Sequence, residues 1–213
     1  MSKSGKICTG IGLLLLAAAL FLTAYNLWGD ARAGKTADTV LEQLMPEIEE
    51  RENNSLPELP SGESLEESYI PDYVLNSEMD MPEEEIDGHE YIGMLQIPAL
   101  LLELPVISEW SYPNLKIAPC RYTGSVYRNN LVIAAHNYSS HFGHLKNLSQ
   151  GDEITFTDMD GNVFRYEVAE IETLSPFAIE EMTSGDWDLT LFTCTVGGKS
   201  RVTVRCKLVN DGL

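Results

Sequence analysis

One thiol, one imidazole and one guanidinium in this chain fall where strands are expected to begin or end. Cys194 closes the run Leu189-Thr190-Leu191-Phe192-Thr193, and Arg201 opens the next run, Arg201-Val202-Thr203-Val204-Arg205, after a turn at Gly197-Gly198. His136 follows directly on Leu131-Val132-Ile133-Ala134-Ala135. These three types together can transfer an acyl group without a metal. A thiolate attacks a carbonyl, and nearby positive charge favours the thiolate. A fixed guanidinium stabilises the charge that grows on the carbonyl oxygen, and an imidazole protonates the departing amine. Taken alone, Cys194 is equally compatible with a structural cysteine beside a solvated arginine, the usual fate of a lone Cys.

Strand alternation says how the three could be presented. Leu189, Leu191 and Thr193 share one face and Thr190, Phe192 and Cys194 the other, so a leucine-lined core turns Cys194 toward a surface or groove. On the next strand Val202, Val204, Cys206 and Leu208 read as core, leaving Arg201, Thr203 and Arg205 on a polar face. Further strand signals run over 91–97, 103–108, 130–135, 153–157 and 163–172, separated by turn signals such as Tyr112-Pro113-Asn114, Gly151-Asp152 and Asp160-Gly161-Asn162. Many short strands and few helical stretches predict an all-β barrel or sandwich. One helix is expected at Ser140–Leu148, where Phe142, Leu145 and Leu148 share a face. His141 and His144 would then lie on its polar surface. They have no acidic or cysteine ligand placed with them, so no metal and no cofactor is expected. Cys8, Cys120, Cys194 and Cys206 contain no CxxC pair; a Cys120–Cys206 bridge stays open but has no support in the spacing.

The 213 residues carry a formal charge of −19, distributed unevenly. Between Thr36 and Glu90 lie 18 acidic side chains against the single base Arg51, whereas from Tyr91 onward there are 14 acids and 9 bases. With no basic patch to release phosphate counterions, nucleic-acid binding is excluded. The 22 residues from Ile7 to Trp28 hold no charge. At about 1.5 Å per residue they span a bilayer core of roughly 30 Å, longer than the core of a cleavable signal. The expected organisation is a cytoplasmic tail at 1–6, a transmembrane anchor at 7–28, an acidic extracellular stalk at 29–89 and a folded domain at 90–213. Within the stalk, 36–50 suits a short helix through Val40, Leu41, Leu44 and Ile48, while the proline-rich, acidic remainder suits a solvated spacer. The aromatic–apolar patch Tyr69–Leu75 could instead fold back over the domain's groove.

At this point the chain resembles the sortases, membrane-anchored cysteine transpeptidases of Gram-positive bacteria. The resemblance rests on Thr190-Leu191-Phe192-Thr193-Cys194, like the family's T-L-x-T-C, on Arg201, and on His136-Asn137 at a strand end. Tyr91–Pro98, Leu104–Ile107 and Phe142–Leu145 before Gly151-Asp152-Glu153 support it, so it spans roughly residues 90–209. It implies a mainly β fold, a closed eight-stranded sortase-type barrel with one or two short helices, preceded by a transmembrane helix and acidic stalk. It also implies that Cys194 is the nucleophile on an LPxTG-like sorting signal and forms a thioacyl intermediate. His136 would be the general acid and base, Arg201 the oxyanion or substrate-orienting group, and Thr193 and Asn137 substrate contacts. Implied partners are surface proteins bearing the signal, a peptidoglycan precursor or pilin amine as acceptor, and the membrane that holds the N-terminal helix. The domain would then lie outside the cell on a single-pass anchor. The resemblance leaves the subclass open between class B-like and class D-like features. The same residues could also serve a thiol protease, and a barrel without activity would be an extracellular binding domain.

Overall fold

The computed structural model describes residues 3–55 and 70–209. Nine strands form one sheet: β1 (Glu84–Ile86), β2 (His89–Ile97), β3 (Leu102–Ile107), β4 (Cys120–Thr123), β5 (Leu131–Ala135), β6 (Glu153–Asp158), β7 (Val163–Leu174), β8 (Leu189–Cys194) and β9 (Arg201–Leu208). Their order is β1-β2-β3-β4-β5-β8-β9-β7-β6, and β6 returns to pair with β2. The mainly β fold is therefore a closed eight-stranded barrel, as expected, with β1 added beside the start of β2. Closure leaves no free edge on the eight. It depends on Gly93, which pairs with Asp158 across the seam at φ 145°; a Cβ there would lie 2.1 Å from the Thr157 carbonyl oxygen.

The barrel interior is filled from β2, β3 and β5 to β9, by residues including Leu95, Ile133, Phe156, Leu191 and Val204, all fully buried. Alternation alone found seven strands; it missed the short strands β1 and β4. Cys120 and Cys206 are buried free thiols, and burial pushes both up to about 12.

Three local expectations are corrected. Residues 140–148 are not an α-helix: they form turns followed by a single 3-10 turn at Leu145–Asn147. Phe142, Leu145 and Leu148 still enter the core, as their common face required. His141 is consequently fully buried rather than on a polar surface, and burial lowers its pKa to about 4, whereas His144 is exposed. The polar face of β9 is also not solvated, because Thr203 and Arg205 are 0% and 2% exposed. A short helix, α3 (Ile179–Thr183), follows β7; its Met182 caps an outer apolar layer formed by Val132, Ala134 and Phe192. Both faces of β5 and β8 are thus covered.

The N-terminal helix α1 (Lys3–Ser55) runs without a break from the apolar segment into the acidic region. Among the described residues it holds the one span long and apolar enough to cross a membrane, and its most apolar window has mean hydropathy 2.3 and no burial. Beyond Trp28 its character changes. Ala33, Ala37, Val40, Leu41, Leu44 and Ile48 form a buried stripe at helical spacing. Val40, Leu44 and Ile48 pack on Ile86, Tyr91, Ile107 and Cys120 of the barrel. The short helix expected over 36–50 is thus one part of a helix docked along the barrel, not a free stalk. Residues 56–69, including Tyr69, lie outside the described residues. Of the remaining patch, Tyr73 on α2 (Asp72–Leu75) stacks on Tyr127 with centroids 4.8 Å apart and tilts against Phe164. Tyr127 precedes β5 and Phe164 opens β7, so this contact closes the end of the barrel away from Cys194.

Candidate active site

The site follows from two strand pairings. Strands β5 and β8 are parallel with Ala135 opposite Thr193, so both chains leave the sheet at the same rim, as His136 and Cys194. Strands β8 and β9 are antiparallel with Cys194 opposite Arg201. A parallel pair needs a long crossover, which is why histidine and cysteine stand far apart in sequence yet follow registered residues at one rim. Cys194 is exposed, and the Arg201 Nη1 donates to its Sγ at 2.6 Å. The Arg201 guanidinium also lies 5.7 Å from the Phe192 ring centroid, which fixes its approach to the sulfur.

His136 is half-buried, and its environment is built by the turn that follows it. Its Nδ1 donates to Asn137 Oδ1 at 2.9 Å, so in the neutral ring Nε2 is left as the proton acceptor. The Tyr138 ring stacks on the imidazole at 4.0 Å and 6°. The turn is closed by Phe142 N to His136 O at 3.2 Å and Gly143 N to Tyr138 O at 2.8 Å. Gly143 is required there, since a Cβ would stand 2.7 Å from the Tyr138 carbonyl oxygen. Burial lowers the His136 pKa; the Asn137 bond and Asp30 act against that, and Lys116 adds to it.

The other two sequence candidates sit beside this triad with their side chains engaged. Asn137 holds His136, and the buried Thr193 donates its hydroxyl to the Ala135 carbonyl at 2.9 Å, stitching the parallel strands together just below the site. Arg205 lies on the same face of β9 as Arg201 but is committed elsewhere. It bonds Glu172 Oε1 and the Met182 carbonyl, both at 2.8 Å, Thr190 Oγ1 at 3.1 Å, and the Glu181 carbonyl. It anchors α3 and does not face the thiol.

Sequence reasoning missed Asp30 and Tyr138. Asp30, on α1, accepts from Ser139 N at 3.1 Å, Ser140 N at 2.9 Å and Ser140 Oγ at 2.6 Å. Burial pushes its carboxyl up, but these donors outweigh it and hold the pKa below the usual value. The small residues Gly29, Ala33 and Gly34 were the available signal, since small residues clustered within two helix turns mark close packing.

A closed barrel bearing thiol, imidazole and guanidinium at one rim defines a class of cysteine-centred β-barrel proteins. Residues 95–209, more than half of the chain, match the family described as the sortase domain. The chain belongs to the sortase family. It is 28% identical over 140 residues to Sortase A of Bacillus anthracis, a match covering 60% of this chain and 66% of that protein, just under two thirds of its length. Its fold is similar to that of a Clostridium perfringens Sortase D5 transpeptidase, with TM-score 0.57 and 22% identity over 84% of this chain and 99% of that one. It is likewise similar to Streptococcus pneumoniae Sortase C, with TM-score 0.53 and 23% identity over 82% and 96% of the two chains.

Proposed function

We propose that this protein is a membrane-anchored cysteine transpeptidase that cleaves an LPxTG-like sorting signal and joins the released acyl group to a cell-wall or pilin amine. The observation that carries this reading is the coincidence of three strand ends: His136 and Cys194 each following one of a registered pair of residues at the same rim, with Arg201 on the sulfur at 2.6 Å. As Cys194 Sγ attacks the scissile carbonyl, the thiol proton passes to His136 Nε2, and Arg201 stabilises the oxyanion. The C–N bond then breaks, the leaving nitrogen takes the proton from His136, and a thioester remains on Cys194. The acceptor amine attacks that thioester, gives its extra proton to His136, and the sulfur departs and is reprotonated. Asn137 sets the ring tautomer through Nδ1, and Thr193 keeps β8 in register under the thiol. The uncharged run of α1 crosses the membrane once, with the barrel on the extracellular side.

The test uses the full chain in detergent micelles with a panel of LPxTG-like peptides, with and without triglycine. The expected result is a thioacyl adduct on Cys194 and an amine-dependent ligation product, both absent from Cys194→Ala. Hydrolysis that ignores added amine would make the protein a thiol protease. No adduct with any peptide would leave a binding domain.

A further inference from the structure

The helix that crosses the membrane also reaches the loop carrying His136. Asp30 stands two residues beyond the uncharged run, and it receives three hydrogen bonds from residues 109 and 110 positions away. Its backbone carbonyl also lies 3.1 Å from Ser140 Oγ, whose single proton these two acceptors share. The approach is close because the helix is notched at this level. A Cβ on Gly29 would meet the Tyr138 hydroxyl at 3.3 Å, and one on Gly34 would meet Ser140 Cβ at 3.0 Å. The loop gripped in this way is the one whose Tyr138 ring lies flat on His136. Below, the same loop is held by its own turn and by Phe142 in the barrel core.

We propose that Asp30 is a positioning residue for His136: the anchor helix clamps the Tyr138–Ser140 loop through this carboxylate and thereby fixes the imidazole for proton transfer at the Cys194 rim. The proposal rests on the transpeptidase reading above for its catalytic meaning, but the physical link does not. A carboxylate held as an acceptor by two backbone amides and a hydroxyl stays ionised. Its charge favours the imidazolium, while Lys116 opposes it and burial disfavours it. His141, packed under Tyr138 with ring centroids 5.7 Å apart, is the remaining titratable ring on the loop, and its pKa of about 4 keeps it neutral above that pH. The anchor is in this view one wall of the active site as well as a tether.

Three variants separate this role from simple docking. Asp30→Asn keeps an acceptor oxygen and removes the charge, Asp30→Ala removes both, and Asp38→Asn removes an exposed carboxylate two turns further along the same helix. Full-length protein in micelles is assayed for kcat/KM against pH, and the His136 ring is titrated by NMR. Asp30→Ala is expected to lower kcat/KM roughly ten- to a hundredfold through a displaced imidazole. Both Asp30 variants are expected to move the His136 titration, and the matching limb of the rate profile, to lower pH. Asp38→Asn is expected to change neither. Variants of Asp30 within twofold of wild type, or slower but with an unmoved His136 titration, would overturn the proposal. If the wild-type protein forms no thioacyl adduct, the transpeptidase reading fails, while the NMR titration still decides whether Asp30 governs His136.

Discussion

The two arginines of β9 are expected to separate activity from stability when each is replaced by alanine. They sit on one strand face four residues apart, yet Arg201 pairs with Cys194 and Arg205 with Thr190. The Arg205 side chain is 3% exposed and donates to one carboxylate, two carbonyls and one hydroxyl. Truncation strips the donors from three neutral acceptors at about 1 kcal/mol each and leaves Glu172 without its cation. Glu172 is 30% exposed, so water recovers part of its loss. The sum is about 3–5 kcal/mol, in the range found when one partner of a buried pair is removed. For a domain of this size that lowers Tm by roughly 6–20 °C. Arg201 has one polar partner, the Cys194 sulfur, and is half-exposed. Arg201→Ala is expected to shift Tm by no more than about 2 °C and to lower kcat/KM about 10²–10³-fold as an oxyanion donor is lost. The assay is differential scanning fluorimetry beside peptide–amine ligation, with rates normalised to folded protein. Two results would refute the reasoning. One is Arg205→Ala melting with the wild type; the other is Arg205→Ala losing as much activity per folded molecule as Arg201→Ala.

Further outcomes follow from the same contacts. His141 is buried and its folded pKa is about 4, below the unfolded value of about 6.5. The unfolded chain therefore binds more protons between those values, so stability is fully present above about pH 6.5 and declines as pH falls toward 4. His141→Gln is expected to flatten that decline in Tm measured from pH 7 to pH 4; an unchanged slope would place the acid sensitivity elsewhere. Gly93→Ala is expected to destabilise the barrel or prevent its closure, because its Cβ would collide with the Thr157 carbonyl and φ 145° strains any L side chain; urea melts give the loss, and a wild-type midpoint would contradict the seam geometry. Tyr73→Ala is expected to cost about 1–3 kcal/mol of stability from lost ring burial with little change in ligation rate, since Tyr73 packs at the end of the barrel away from Cys194. A large rate loss at wild-type stability would mean that α2 communicates with the site.

Period-two alternation was enough to mark β2, β3 and β5 through β9 and to turn Cys194 outward, because these strands bury one face in the barrel core. It was not enough for Thr203, Arg205 and Phe192. Alternation reports which face meets the core, and here a second apolar layer under Met182 of α3 covers the opposite face as well. The 140–148 segment failed for a related reason. Phe142, Leu145 and Leu148 had the spacing of a helix face, yet a turn hydrogen-bonded back to His136 and Tyr138 sends the same three side chains inward. The stripe Val40, Leu41, Leu44 and Ile48 was visible in sequence as a helix, but nothing local said what it would pack against.

By itself, the sequence determined the chemistry-bearing types, their strand-end positions, the apolar span and the family to which their spacing belongs. Those are properties of near neighbours along the chain: side-chain period, uninterrupted hydrophobicity, the Cys-turn-Arg order of one hairpin. The tertiary structure alone set the rim that His136 and Cys194 share, because a parallel register is set by barrel closure and not by any turn. It also showed how Arg201 and Arg205, which share a strand face, differ in what covers them. And it alone brought Asp30 to the His136 loop, across a separation that no local pattern spans, through a helix whose small residues gain meaning only from the loop they admit.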